Sequence, residues 1–262
     1  MNATPPTKKK PETDNVKVCV RIRPLNRREL KHEHTIAWDW TDRSIQLKGR
    51  DLPSLASASS PAKRRNDPPR AAFTFDTLFH PHCDNDEVYD TIGRHVVEGA
   101  VRGFHSSIFA YGQTSTGKTH TMLGSGSHIS GILGHAVNDV FNLIKSNNRR
   151  EYLLRVSFME IYNEALNDLL VPTSKNLVIF EHSKKGCVVR GLLEEVVTTQ
   201  ERILELVSSG LRHRKVGSTN YNAKSSRSHT IFRMVIESKP KGQAPKKRVR
   251  GREYLRRGDG VR

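Results

Sequence analysis

The chain has 262 residues, of which 35% are hydrophobic and 6% aromatic, and its formal net charge is +17. This length suits one domain of moderate size, and the low hydrophobic content predicts that part of the chain is unfolded. Its three widely separated cysteines exclude a disulfide framework and a cysteine metal site, so we expect a reduced, intracellular protein. No apolar run reaches the length of a signal core or a membrane span, so we also expect a soluble one.

Three stretches are predicted to lie outside the packed domain, because they lack apolar periodicity and are rich in Pro, Ser or basic residues. They are residues 1–14, 50–70 and 240–262. The packed domain is therefore expected to span residues 15–239. Residues 239–262 hold ten Lys or Arg against two acids. This excess indicates a polyanionic partner, which could be nucleic acid, a membrane surface or an acidic protein lattice.

Alternating or continuous apolar residues predict β-strands along the whole domain. The predicted strands cover residues 16–23, 37–47 as a pair around a turn, 107–111, 152–162, 176–181, 186–190 and 230–237. The segment 152–162 is strongly β-forming and is expected in the centre of the sheet. Helices predicted between these strands make the domain an α/β protein.

A capping box opens the first predicted helix of the domain. Asp84 and Glu87 are three residues apart, so each side chain can cap the backbone amide of the other. The apolar residues that follow are spaced as one buried stripe; they are Val88, Ile92 and Val96. Tyr89 lies on the same helix, where packing in the core is its default role.

Two more helices are predicted further along the chain. Residues 132–145 show the amphipathic pattern of a helix with one buried face. Thr198 and Glu201 form a second capping box and open the other helix. Gly210 is expected to end that helix, because glycine is the commonest residue just past a helix C-terminus.

Residues 112–119 have the pattern G-x-x-x-x-G-K-T of a phosphate-binding loop. Gly112 and Gly117 allow the tight turns that aim backbone amides at a phosphate chain. Lys118 supplies a positive charge for the outer phosphates, and the Thr119 hydroxyl is placed to ligate Mg²⁺. The strand predicted before the loop and the helix predicted after it are in the required order. A nucleoside triphosphate is therefore the expected ligand.

A second polar constellation occupies residues 222–229, Asn-Ala-Lys-Ser-Ser-Arg-Ser-His. Its three hydroxyls, amide, guanidinium and imidazole suit the sensing of a terminal phosphate and its Mg²⁺. Taken alone, this composition is equally that of a solvated loop. The phosphate-binding loop earlier in the chain favours the functional interpretation.

Three motifs together resemble those of the kinesin motor domain, in the same order and at similar spacing. They are Arg21-Ile-Arg-Pro24, the segment from Phe109 to Met122, and Asn222-x-x-Ser-Ser-Arg-Ser-His229. Residues 153–164 and 228–238 further resemble the centromere-associated, kinesin-7 branch. The resemblance covers the whole expected domain. It implies a P-loop NTPase fold in which a central mixed β-sheet is flanked by helices.

The resemblance also implies roles for individual residues. Those implied to border or flank the adenine are Arg21, Arg23, Pro24, Tyr89 and His120. Those implied to wrap the phosphates of ATP are Gly112, Gln113, Thr114, Ser115, Thr116, Gly117, Lys118 and Thr119. Thr119 and Ser226 would hold Mg²⁺, Asn222 and Ser225 would sense the γ-phosphate, and Arg227 would pair with a glutamate of the switch II motif.

A kinesin-like chain would use ATP and Mg²⁺, associate with microtubules and lie in the cytoplasm on the cytoskeleton, with no membrane partner. The basic turn Lys184-Lys185 falls in a region that the family uses against acidic tubulin. Two other classes stay open. One is a non-catalytic protein that binds tubulin, and the other is a nucleic-acid binder through Lys63-Arg-Arg65 and the basic tail. No aromatic residues are interleaved with those charges, which argues against the second class.

The C-terminal part of the kinesin pattern has no counterpart in the sequence. Kinesins follow the last predicted strand with another that ends in switch II, Asp-Leu-Ala-Gly-Ser-Glu. The one Asp-x-x-Gly here, Asp90 to Gly93, precedes the phosphate loop on a predicted helix. We therefore expect a C-terminally incomplete sheet, and the sequence leaves ATP hydrolysis open.

A transcript read past an exon boundary after Lys239 would explain the loss of the kinesin pattern, and sequencing across the codons for residues 235–262 tests this.

Overall fold

The computed structural model describes residues 16–31, 36–48, 72–125, 130–183, 186–214 and 228–242. The arm, the insertion and nearly all of the tail that were predicted to lie outside the domain are not among them. In chain order the elements are β1 (Cys19–Arg21), α1 (Arg27–Lys31), β2 (Trp38–Trp40), β3 (Ser44–Leu47), β4 (Ala72–Thr74), β5 (Thr77–Phe79), α2 (Asn85–Val88), a π turn (Tyr89–Gly93), α3 (Arg94–Arg102), α4 (Lys118–Leu123), α5 (Ile132–Ser146), β6 (Arg150–Tyr162), β7 (Ala165–Asp168), β8 (Val178–His182), β9 (Gly186–Arg190), β10 (Glu195–Val197), α6 (Gln200–His213) and β11 (Ser228–Pro240).

Strand β6 is the centre of the largest sheet, as its apolar sequence predicts. It pairs antiparallel with β11 along its whole length, from Ser228 opposite Tyr162 to Pro240 opposite Arg150. β10 and β7 pair with consecutive parts of its other edge. Among the described strands β11 has one partner, so it forms an edge of this sheet.

The remaining strands form smaller sheets. β1 and β5 pair in parallel, β2, β3 and β4 form an antiparallel sheet, and β8 and β9 form a hairpin. The predicted strand pair around a turn and the predicted hairpin are both confirmed. With helices packed against the β6 sheet, the predicted α/β class is confirmed as well.

The strand predicted at residues 107–111 is not formed. Residues 104–112 make no ladder with any described strand. The side chains of Phe109 and Tyr111 are correspondingly 88% and 101% exposed. A strand needs a neighbour to pair its backbone N–H and C=O groups, and no described strand runs beside this segment. An apolar sequence without such a neighbour does not make a strand.

The core lies between the β6 sheet and two long amphipathic helices. The buried apolar side chains of α5, α6 and β6 in this core are Val137, Val140, Phe141, Ile203, Leu206, Val207, Leu154, Val156 and Phe158. Full burial of one such side chain contributes about 2 kcal/mol. This core is what holds α5 and α6 in place. No helix in the described part of the chain is long and apolar enough to span a membrane.

Both predicted ends of α6 are wrong by a few residues. The N-cap is Thr199, one residue after the predicted Thr198, and its hydroxyl accepts a 3.2 Å hydrogen bond from the Arg202 amide. The helix passes through Gly210 and continues to His213. Gly210 is a packing residue instead of a terminus, because it lies against the buried ring of Phe158.

The helix predicted after Asp84 contains an extra residue. Asp84 caps it as predicted, and its Oδ1 atom accepts a 2.8 Å hydrogen bond from the Glu87 amide. The chain then passes from α2 through the π turn at Tyr89–Gly93 into α3. A π turn holds one residue more than an α turn. The buried position is therefore Val97 and not the predicted Val96.

Candidate functional site

Residues 112–119 form a tight loop that runs into α4, which begins at Lys118. Gly112 and Gly117 have φ angles of +154° and +100°, which residues with a side chain rarely adopt. A Cβ atom on Gly112 would lie 2.7 Å from the Thr116 Oγ1 atom. That Oγ1 atom donates a 2.8 Å hydrogen bond to the Gln113 carbonyl. The shape of the loop therefore requires both glycines of the sequence pattern.

The Lys118 side chain folds back across this loop. Its Nζ atom donates hydrogen bonds to the carbonyls of Gly112, at 2.8 Å, and Gln113, at 2.9 Å. Charge-assisted bonds to a phosphate are stronger than bonds to neutral carbonyls. The ammonium is therefore placed inside the loop and is available to an anion there.

The residues implied to border the adenine do not all contact α4. Arg21, at the end of β1, donates a 2.9 Å hydrogen bond to a hydroxyl of α4. Arg23 pairs with Glu29 at 2.6 Å and donates to the Pro24 carbonyl. Pro24 and His120 are exposed. Arg21 thus contacts the helix that follows the loop, whereas Arg23 contacts α1.

Tyr89 is in the core, which confirms its default role, and its implied role beside the adenine stays a prediction. The residue is 2% exposed, and its ring stacks on that of His135 with 5.1 Å between the centroids. Its hydroxyl donates a 2.8 Å hydrogen bond to Asp139, and Arg94 lies over the ring. Burial and this hydrogen bond raise the pKa of Tyr89. These contacts hold the ring in one orientation in the core.

The residues of the second constellation that have implied roles lie outside the described residues, as does the basic turn at residues 184–185; they are Asn222, Ser225, Ser226 and Arg227. The roles implied for these residues stay predictions. The constellation's last two residues are described, and one of them, Ser228, contacts the residue that precedes the stretch 215–227.

A buried carboxylate joins the two sides of the stretch 215–227. The Ser228 hydroxyl donates a 2.5 Å hydrogen bond to the Glu160 Oε1 atom. Arg214 donates to the hydroxyl and the carbonyl of Ser228, at 3.2 and 3.1 Å, and its Nε atom lies 3.8 Å from the Glu160 carboxylate. The Glu160 side chain is 5% exposed. The end of α6 and the start of β11 are therefore held together near the C-terminal end of β6.

We expect Glu160→Gln to lower the free energy of unfolding by about 1 to 2 kcal/mol, because Arg214 loses its buried counter-charge while Ser228 keeps an acceptor. The midpoint of urea unfolding measures the change. Glu205→Gln is the matched control, because Glu205 pairs with Arg202 at 3.4 Å on the surface with its side chain 67% exposed, and exposed pairs contribute little. Equal midpoints for the two variants would contradict the assignment of Glu160 as a buried structural charge.

Sequence reasoning missed Glu160 and Arg214, which meet at Ser228. It also missed Asn85, whose side chain bonds to Arg21 and to a carbonyl of α4. Glu160 could have been found from the sequence, because it is a lone acid inside the apolar strand 152–162 and a buried carboxylate needs a partner. Arg214 and Asn85 carry no local signal, because their partners are distant in the sequence.

The loop residues fit a nucleoside triphosphate with Mg²⁺. The observations are the two glycines with positive φ, the ammonium folded over the loop, and the exposed residue Thr119. Among the described residues, no group of three or more His, Cys, Asp and Glu side chains could hold a metal ion. Among the described residues, Thr119 is the one that would hold a Mg²⁺ ion at this loop, together with the oxygens of the phosphate chain.

Comparison with known proteins agrees with this fold and loop. The family profile described as "Kinesin motor domain" matches residues 21–255. The structure is similar to one described as that of a fast kinesin, with a TM-score of 0.72 and 32% identity, over 86% of this chain and 60% of the other. The central sheet flanked by helices is thus the P-loop NTPase-like fold of kinesins.

The chain therefore belongs to the kinesin motor domain family. It is 54% identical over 170 residues to Kinesin-related protein 11 of Dictyostelium discoideum, which covers 64% of this chain. It is 48% identical over 203 residues, 75% of this chain, to Kinesin-like protein KIN-7I of Oryza sativa subsp. japonica. It is 43% identical over 89% of its length to Kinesin-like protein KIN-7K, chloroplastic, of Arabidopsis thaliana. These matches span 25%, 17% and 22% of the respective relatives, and the KIN-7 names agree with the predicted branch.

Proposed function

We propose that this chain binds ATP with Mg²⁺ at residues 112–119 and associates with microtubules as a motor domain of residues 15–239. The observation that carries the proposal is the Lys118 ammonium, held by 2.8 and 2.9 Å hydrogen bonds inside a loop that two glycines with positive φ shape. The further residues proposed to act on Mg²⁺ and the γ-phosphate are Thr119, Asn222, Ser225, Ser226 and Arg227.

The chemistry of phosphoryl transfer needs little more than positioning and charge stabilisation. Mg²⁺ supplies part of that charge when it is bound with the nucleotide. Lys118 supplies another part, and the loop backbone fixes the phosphate chain. The sequence has no Asp-x-x-Gly after the phosphate loop. A polypeptide of these 262 residues should therefore turn ATP over slowly.

The microtubule partner is proposed from the family and from the charge of the chain. The formal net charge of +17 favours an acidic surface such as that of tubulin. The proposed location is the cytoplasm, on microtubules. The basic tail supports a second candidate, a non-catalytic fragment that binds microtubules or nucleic acid by charge.

Co-sedimentation with microtubules, compared with duplex DNA at matched salt, tests which acidic partner the chain binds. We expect the 262-residue chain to pellet with microtubules at low ionic strength and to be released as salt screens the contact. Its ATP turnover should rise little when microtubules are added. Clear stimulation at submicromolar tubulin would contradict the slow turnover. Stronger binding to duplex DNA than to microtubules at matched salt would favour the nucleic-acid candidate.

A further inference from the structure

The side chain of Asn85 is a buried amide with all of its hydrogen-bonding groups engaged. The residue is 9% exposed and is the first residue of α2. Its Oδ1 atom accepts a 2.5 Å hydrogen bond from Arg21. Its Nδ2 atom donates to the carbonyls of His120, at 3.0 Å, and Ser130, at 3.2 Å. A buried polar group satisfied this completely fixes its neighbours in one arrangement.

The partners of Asn85 belong to the elements around the phosphate loop. His120 lies in α4, two residues after Lys118, and Ser130 precedes α5. Arg21 ends β1, and its guanidinium also donates to the Thr121 hydroxyl in α4, at 2.9 Å. Asn85 therefore links α2, β1 and the chain before α5 to α4.

Helix α4 needs such contacts to keep its place. It has six residues, and an isolated helix of that length is unstable in water. Its position must come from neighbouring elements. Besides the hydrogen bonds of Asn85, close packing of Gly131 holds the C-terminus of α4. A Cβ atom on Gly131 would lie 2.5 Å from the Met122 carbonyl carbon.

Asn85 is not required to start its own helix. The N-cap of α2 is Asp84, whose carboxylate accepts the Glu87 amide at 2.8 Å. The Asn85 amide is directed instead at α4 and at the chain before α5. Its hydrogen bonds thus serve the placement of other elements.

We propose that Asn85 is a positioning residue for nucleotide binding, which acts through the His120 carbonyl and Arg21 to hold α4, and with it Lys118 and Thr119, in place. This inference rests on the proposed function, because it deepens the account of the same site. The described hydrogen bonds of Asn85 all go to protein groups, so its role is exerted through them. Arg21 acts together with Asn85, since Asn85 orients the Arg21 guanidinium toward α4.

The test compares three variants of the full chain. Asn85→Leu keeps the approximate shape and removes every hydrogen bond of the amide. Asn85→Asp keeps the acceptor for Arg21 and removes both donors, so it serves where the leucine variant does not fold. Thr199→Ala is the control, because it removes the N-cap of α6 and lowers stability without touching α4.

Two measurements are made on each variant. Hydrogen exchange of the amides of residues 118–123 without nucleotide reports the placement of α4. Calorimetric titration with Mg·ATP reports affinity. We expect both Asn85 variants to exchange faster in α4 and to lose about tenfold in affinity, the effect of about one net buried hydrogen bond. Thr199→Ala should change neither, even though it melts at a lower temperature.

The two readouts separate the inference from the proposed function. Unchanged α4 exchange in the Asn85 variants, or a loss of affinity no larger than in Thr199→Ala, would overturn the positioning role. If the wild-type chain itself does not bind Mg·ATP, the proposed function and the nucleotide part of the inference both fail. The exchange measurement then still decides whether Asn85 holds α4.

Discussion

Lys118→Ala is expected to abolish the rise in Tm that Mg·ATP causes in the wild-type chain. A ligand that binds only the folded state and is present at a hundred times its Kd adds about 2.7 kcal/mol of stability. For a domain of this size that is a rise of several degrees. The variant removes the ammonium that bridges the carbonyls of Gly112 and Gln113, and with it the cation placed for the phosphates. Differential scanning fluorimetry with and without Mg·ATP measures the effect.

Lys145→Ala is the matched control for this change. Lys145 is an exposed lysine in α5, so its replacement alters the net charge of the chain by the same amount without touching the loop. Its melting temperature should rise with Mg·ATP as in the wild type. A rise in Tm that survives in Lys118→Ala would mean that Mg·ATP binds elsewhere, and the phosphate-loop assignment would then be wrong.

Gly210→Ala is expected to destabilise the chain by about 2 kcal/mol, although alanine is the better helix former by about 1 kcal/mol. The new Cβ atom would lie 2.5 Å from Cδ1 of Phe158 and 3.3 Å from the Leu169 Cβ atom. Phe158 is 3% exposed and packs edge-on against Phe232, so its ring has no space into which it can move. The overlap must therefore be relieved by moving α6 away from β6. Urea unfolding of the variant measures the loss.

The control for this prediction is the same substitution at Gly99 in α3. A Cβ atom there would meet nothing closer than the Ser106 Oγ atom at 4.0 Å. Gly99→Ala should therefore show the gain in helix propensity alone and stabilise the chain by up to about 1 kcal/mol. Opposite signs for the two variants are the expected result. A stabilising Gly210→Ala would mean that α6 and β6 are packed less closely than described.

The phosphate loop could be predicted in detail because its chemistry is local. The pattern from Gly112 to Thr119 fixes the turn, the cation and the start of the helix within eight residues. The strand β6 and the helix α5 could be predicted for a similar reason, since periodic apolar residues show the buried face directly. These parts of the fold need no information from distant residues.

The one-residue shifts at the α6 N-cap and at the π turn are local misses. The other misses depend on residues that are far apart in the sequence. The segment 107–111 has the composition of a strand, but a strand also needs a neighbour, and none is described beside it. Asn85 and His120 are 35 residues apart, and Glu160 and Ser228 are 68 apart. No local pattern shows that such side chains meet. Tyr89 is a contrast, because its position on a predicted helix did indicate packing in the core.

The π turn at Tyr89–Gly93 makes the number of residues in this helix as important as their identity. Gly93 is the residue that lets the wider turn close, since a Cβ there would lie 2.5 Å from the Tyr89 ring. The extra residue of the π turn is what places Val97 in the core where a continuous α-helix would place position 96. Deleting one residue within the π turn would leave an α turn and keep Val97 on the buried face. Deleting a residue of α3 ahead of Val97 would instead rotate Val97 by about 100° about the helix axis and remove it from the core. Single-residue deletions should therefore be tolerated better within the π turn than at the start of α3.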